Sequence, residues 1–125
     1  MKRIVILLAV FSIITFACEY KKGLLPVTAK SSVTPGACDT VTYTKQIQPI
    51  LTANCAIPHC HNSITIQSGY DLSAYADCKT IATNGRLKIR AIDNSDPLGP
   101  MPSSGLLSQA QLDLLLCWVN NGALQ

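Results

Sequence analysis

Cys55-Ala56-Ile57-Pro58-His59-Cys60-His61 is the stretch whose residue types and spacing could do chemistry. It sets two thiols a short loop apart and places an imidazole directly after the second. Covalent haem attachment needs that set: two cysteines add to the two vinyl groups, and the adjacent histidine meets the iron from the same side. The usual attachment motif has two residues between the cysteines, whereas here there are four. His61 is the expected proximal ligand. His59 lies inside the loop, on the same side of the ring, and reads as loop surface or a local hydrogen-bond donor.

A second soft donor lies downstream. Met101 is held between Pro100 and Pro102, within the Pro- and Gly-rich stretch from Asp93 to Gly105. A methionine in a rigid extended loop is not how a core gap is usually filled. It is the expected distal ligand, because a neutral thioether favours ferrous iron and raises the potential. Zinc is the rival: Cys55, Cys60, His61 and one of Cys38, Cys78 or Cys117 would make four ligands. Adjacent Cys60 and His61 are awkward zinc partners, and an oxidising compartment consumes spare thiols.

The elements that must position these groups are few. The chain has 125 residues, of which 14% are charged and 48% hydrophobic. Part of that apolar excess belongs to a leader. Lys2 and Arg3 precede an apolar run from Ile4 to Phe16 that ends at Ala17-Cys18, the pattern of a secretory signal over residues 1–17. The run is short for a bilayer span, which weighs against a retained single-span anchor. Ile14-Thr15-Phe16-Ala17-Cys18 resembles a bacterial lipoprotein cleavage box, although Thr15 and Phe16 depart from its commoner residues. That resemblance implies lipidation of Cys18, export, and a stable hold on the periplasmic or cell-surface side of a bacterial membrane. Loss of Lys2 and Arg3 lowers the formal charge from +3 to +1 and leaves no basic footprint for nucleic acid.

Residues 18–37 read as a linker rich in Lys, Ser, Pro and Gly, with an r.m.s. span of roughly 25 Å. The domain proper is residues 38–125. Tyr43, Ile47, Ile50 and Leu51 share one helical face, with Thr42 or Thr44 as cap. Pro49 either opens a helical turn or kinks a longer helix. A second helix is expected from an Ser73 cap through Thr83, stopped at Asn84-Gly85. A short turn over Arg86–Ile92 follows. The last helix has a Ser108–Gln111 capping box, a Leu112, Leu115, Leu116 and Val119 stripe, and an Asn121-Gly122 stop. No strand alternation stands out. The fold class is therefore all-α, three or four helices with long ordered loops. So small a core gains from a large apolar cofactor around which to pack.

Six cysteines in an exported chain point to an oxidising compartment. With Cys18 given to lipid and Cys55 and Cys60 to haem, Cys38, Cys78 and Cys117 remain, enough for one bridge. Two well-capped helices that must pack together favour Cys78–Cys117, with Cys38–Cys117 close behind.

From Cys38 onward the chain resembles class-I-like monohaem cytochrome c domains of bacterial exported lipoproteins. The matching pieces are Tyr43 to Leu51 leading into Cys55, Cys60 and His61; Gly69-Tyr70-Asp71-Leu72 with Tyr75; Pro100-Met101-Pro102; and Cys117-Trp118-Val119-Asn120-Asn121-Gly122-Ala123. The resemblance implies a small cytochrome c-like fold around one haem c, bound through Cys55 and Cys60 with His61 and Met101 as axial ligands. It also implies that Ile47 and Leu51 pack against Leu115, Trp118 and Val119. The four-residue loop Ala56 to His59 departs from the family pattern. The expected activity is electron transfer with redox partner proteins, by a carrier that is not itself an enzyme. Two alternatives stay open. One is a haem domain with an open distal side, acting in sensing or within an oxidoreductase. The other is a haem-free, disulfide-stapled binding lipoprotein.

Overall fold

The computed structural model describes residues 38–125. The expected signal peptide over 1–17, Cys18 and the linker over 18–37 lie outside them. The described residues are helical with no strands. Three α-helices are present among them: α1 (Gln48–Asn54), α2 (Tyr75–Thr83) and α3 (Gln109–Asn120). Two wide π-helical turns, Tyr43–Ile47 and Lys88–Ile92, and a short 3₁₀ turn, Gln67–Gly69, complete the frame. No helix among the described residues is long and apolar enough to cross a membrane.

The expected first helix forms, with a change of pitch at Pro49. A proline ring inside a continuous α-helix would clash with the Lys45 carbonyl and leave it without a donor. The chain meets this with a wide turn, in which the Gln48 amide donates to the Tyr43 carbonyl, and then restarts as α1 with Pro49 in its first turn. Thr42 occupies the cap position but caps nothing through its side chain; its own amide donates to Gln46 Oε1 at 3.0 Å. Tyr43, Ile47, Ile50 and Leu51 are all buried, as one face.

In α2 the expected Ser73 cap gives way to Ala74, which makes no side-chain cap bond. Asp71 uses Ser73 for a local turn instead: its Oδ1 accepts from the Ser73 amide and hydroxyl. Asp77, in the first turn of α2, accepts from the Asp71 amide at 2.8 Å. Asn84 and Gly85 end the helix as expected, with Gly85 at φ +82°. The capping box of α3 is complete, with Ser108 and Gln111 satisfying each other's backbone amides. Its buried face runs through Leu115, Cys117 and Trp118; Leu116 is only half-buried.

The reason Cys117 turns inward is a covalent one. The bridge is Cys38–Cys117, with Cα atoms 4.9 Å apart, so the pairing Cys78–Cys117 is corrected. The Cys38 strip docks on the C-terminal end of α3, where Asn121 Nδ2 donates to the Cys38 carbonyl at 2.6 Å. Cys78 is a free, fully buried thiol that donates to the Leu72 carbonyl at 3.2 Å and sits 3.7 Å from the Tyr43 hydroxyl. It fills the core as a small apolar group rather than as a staple.

One continuous core results. α3 packs on both π-helical turns. The Tyr43 ring lies 5.8 Å from Trp118 and 5.0 Å from Tyr75, centroid to centroid, spacings at which aromatic pairs attract. The C-terminal tail closes the cluster. Ala123, buried at φ +55°, lets its carbonyl accept from the Tyr75 hydroxyl. The Leu124 carbonyl accepts from Trp118 Nε1 at 2.7 Å and from the Tyr43 amide at 3.2 Å.

Burial pushes the Cys78 thiol from its ordinary 9.0 up to about 11, and burial likewise raises the Tyr43 phenol above its ordinary value. The unfolded thiol ionises near pH 9, whereas the folded one stays neutral to about 11. Stability from this group is therefore complete below that lower value and is lost as pH rises through the higher one. Urea midpoints measured at pH 7 and pH 10.5 should fall more steeply with pH for the parent than for Cys78→Ala. Equal slopes would show that the thiol stays accessible to base.

Candidate functional site

The Cys55–His61 loop is built from two turns. α1 ends at Cys55, whose amide donates to the Leu51 carbonyl at 2.8 Å. Ile57-Pro58-His59-Cys60 then forms a tight turn, closed by the Cys60 amide on the Ile57 carbonyl at 3.1 Å. Pro58 stands at its second position and His59, at φ +65°, at its third. That is type II geometry, in which the third residue must take a positive φ. The extra residues between the cysteines are absorbed in this turn. The His61 amide then returns to the Cys55 carbonyl at 3.0 Å, bringing the loop's two ends together.

His61 is oriented by its neighbours. Its Nδ1 lies 3.3 Å from the Tyr70 carbonyl, and its own carbonyl accepts from the Leu72 amide at 2.8 Å. A carbonyl can only accept, so Nδ1 carries the proton in that contact and the lone pair is left on Nε2. This is the tautomer that a metal-ligating histidine uses. Tyr70, at the end of the Asn62–Gly69 loop, was visible in the sequence only as part of a family-like Gly-Tyr-Asp-Leu string. Its role comes from its backbone carbonyl, which sequence patterns do not mark.

A cavity of about 500 Å³ opens beside this loop, within the range of small-molecule and cofactor sites. Cys55, Cys60 and His61 line it, and Met101 lines it too, so all four expected site residues meet at one cavity. Leu72, Ile81, Leu87 and Ala91 add apolar wall. His59 also reaches the lining although it is largely exposed, closer to the cavity than a purely surface role implied. Met101 is half-buried, and its amide donates to the Arg90 carbonyl at 2.8 Å. Two arginines, Arg86 and Arg90, stand in the same lining and were not singled out in the sequence.

The residues fit a covalently held haem. Two thiols, one imidazole and, from a different loop, a thioether line one largely apolar cavity. They fit a four-ligand zinc poorly. Cys38 and Cys117 are spent on each other, Cys78 is engaged in the core, and no three His, Cys, Asp or Glu side chains among the described residues group closely enough to hold a metal ion. Burial, with smaller contributions from Cys78 and Cys60, raises the Cys55 thiol to about 11. This raised value keeps the Cys55 thiol protonated at neutral pH.

Comparison with known proteins returned nothing: no family model, no curated protein and no solved structure matches this chain.

Proposed function

We propose that this protein is an electron carrier of cytochrome c type, with one haem c bound through Cys55 and Cys60 and ligated by His61 and Met101. The observation that carries the reading is the meeting of these four side chains at one largely apolar cavity, although Met101 lies forty residues from His61 in the chain. The Nδ1 contact of His61 with the Tyr70 carbonyl supports it, since it frees Nε2 as a donor. A haem bound there supplies a one-electron ferric–ferrous couple. The chain's own residues hold and orient it: the type II turn spaces the two cysteines, Tyr70 fixes the imidazole, and Leu72, Ile81, Leu87 and Ala91 exclude water from its face. The redox partners are proteins. In the same reading Cys18 carries lipid, and residues 18–37 tether the domain above a membrane surface on the exported side.

The test is a reduced-minus-oxidised spectrum of protein matured in a host that attaches haem. A c-type band that survives acid–acetone extraction is expected; a colourless protein sinks the reading and favours a haem-free binding lipoprotein. In the Met101→Ala variant, the weak sulfur-to-iron charge-transfer band of the ferric protein should vanish. Persistence of that band would place a different sulfur on the iron.

A further inference from the structure

Met101 sits on a loop of little regular structure, yet its position is tightly specified. The specification begins with Arg90, in the last turn of the π-helical segment Lys88–Ile92. The Arg90 carbonyl accepts from the Met101 amide at 2.8 Å, so the two ends of the Arg90–Met101 loop are joined. Inside the loop the Ser95 amide donates to the Ile89 carbonyl, and Asp96-Pro97-Leu98-Gly99 makes a turn closed at 3.0 Å.

Asp96 links these parts. Its Oδ1 accepts from the Leu98 amide at 2.8 Å and from the Arg90 guanidinium at 3.1 Å. The two side chains are 8% and 15% exposed, which sets this pair apart from Lys88–Asp93 nearby, at 38% or more on both sides. Shielded, charge-assisted bonds of this kind hold geometry in a way that solvated pairs do not. Arg86 stands farther away, at 3.9 Å from Asp96, and is half-exposed. The Leu98 amide first, and then Arg90, hold the Asp96 carboxyl below its ordinary value, so it is ionised at neutral pH.

We propose that Asp96, acting through Arg90, is the positioning residue for Met101: the ion pair fixes Arg90, and the Arg90 carbonyl fixes the Met101 backbone at the cavity. The proposal rests on the haem reading only for its consequence at the iron. The clamp itself is a property of the chain.

The experiment uses the full chain and two readouts. Asp96→Asn keeps a carbonyl acceptor for the Leu98 amide but removes the charge that Arg90 answers. Hydrogen exchange at the Met101 amide should quicken by about tenfold in this variant, the effect of losing one charged hydrogen bond. Exchange at Leu115 and Trp118 in α3 should not change. In haem-bearing protein the sulfur-to-iron band should weaken in the same variant while the haem stays covalently attached. Lys88→Gln, which removes the exposed Lys88–Asp93 pair outside the cavity lining, should leave both readouts at parent level, and Arg90→Gln should reproduce Asp96→Asn. If Asp96→Asn leaves the Met101 amide as protected as in the parent, the clamp is wrong. If Lys88→Gln has the same effect as Asp96→Asn, the effect is general charge and the route through Arg90 is wrong. A colourless parent whose Met101 amide still loosens in Asp96→Asn overturns the haem reading and leaves the clamp standing.

Discussion

The Cys38→Ala/Cys117→Ala protein is expected to be less stable than the oxidised parent by about 4 kcal/mol. The cysteines are 79 residues apart, so the bridge closes nearly the whole described domain into one loop. Restricting an unfolded chain of that length is worth about 4.5 kcal/mol on the loop-entropy argument. Domains this small have total stabilities of about 5–15 kcal/mol, so the loss is a large share. Docking adds to it, because the Asn121 side chain holds the Cys38 carbonyl beside the bridge. Urea unfolding of parent, reduced parent and double variant measures the difference. A peptide map under non-reducing conditions should recover Cys38 with Cys117 and leave Cys78 alkylatable after unfolding. A recovered Cys78–Cys117 peptide would restore the pairing that helix packing first suggested.

On the proposed haem reading, the second large effect is expected at the Cys55–His61 loop. The Cys55→Ser/Cys60→Ser protein should retain no haem after acid–acetone extraction. Each single serine variant should retain one thioether, with reduced yield and a shifted band. The four-residue spacing makes this more than a formality. The loop reaches its closed form only through the Pro58–His59 turn and the His61 amide bond to the Cys55 carbonyl. Intact mass and tryptic mapping of the haem peptide report which bonds are present. If Cys55→Ser matches the parent in yield, spectrum and mass increment, Cys55 carries no bond and attachment is through Cys60 alone.

The helices were legible because their signals are local. Ser108 and Gln111 cap α3 through contacts three residues apart. Asn84-Gly85 stops α2 by backbone conformation alone. The apolar period of Tyr43, Ile47, Ile50 and Leu51 survived even the change to a π-helical turn, because the face it marks is what the core requires. The Ser73 cap failed for an equally local reason: Asp71, two residues earlier, competes for the same groups.

What the sequence by itself determined is the chemistry on offer: two thiols and an imidazole in one short loop, a thioether between prolines, four further cysteines and an all-α frame. Those are matters of residue type and near spacing. What only the tertiary structure decided is which distant groups meet. Met101 reaches the cavity of Cys55, Cys60 and His61, where its amide is held by the Arg90 carbonyl, and Cys38 rather than Cys78 reaches Cys117 because the Cys38 segment docks on the end of α3. Cys78 has the same thiol and a well-formed helix, but it turns into the core toward Leu72 and Tyr43. Connectivity of this sort follows from long-range packing, which residue spacing alone does not encode.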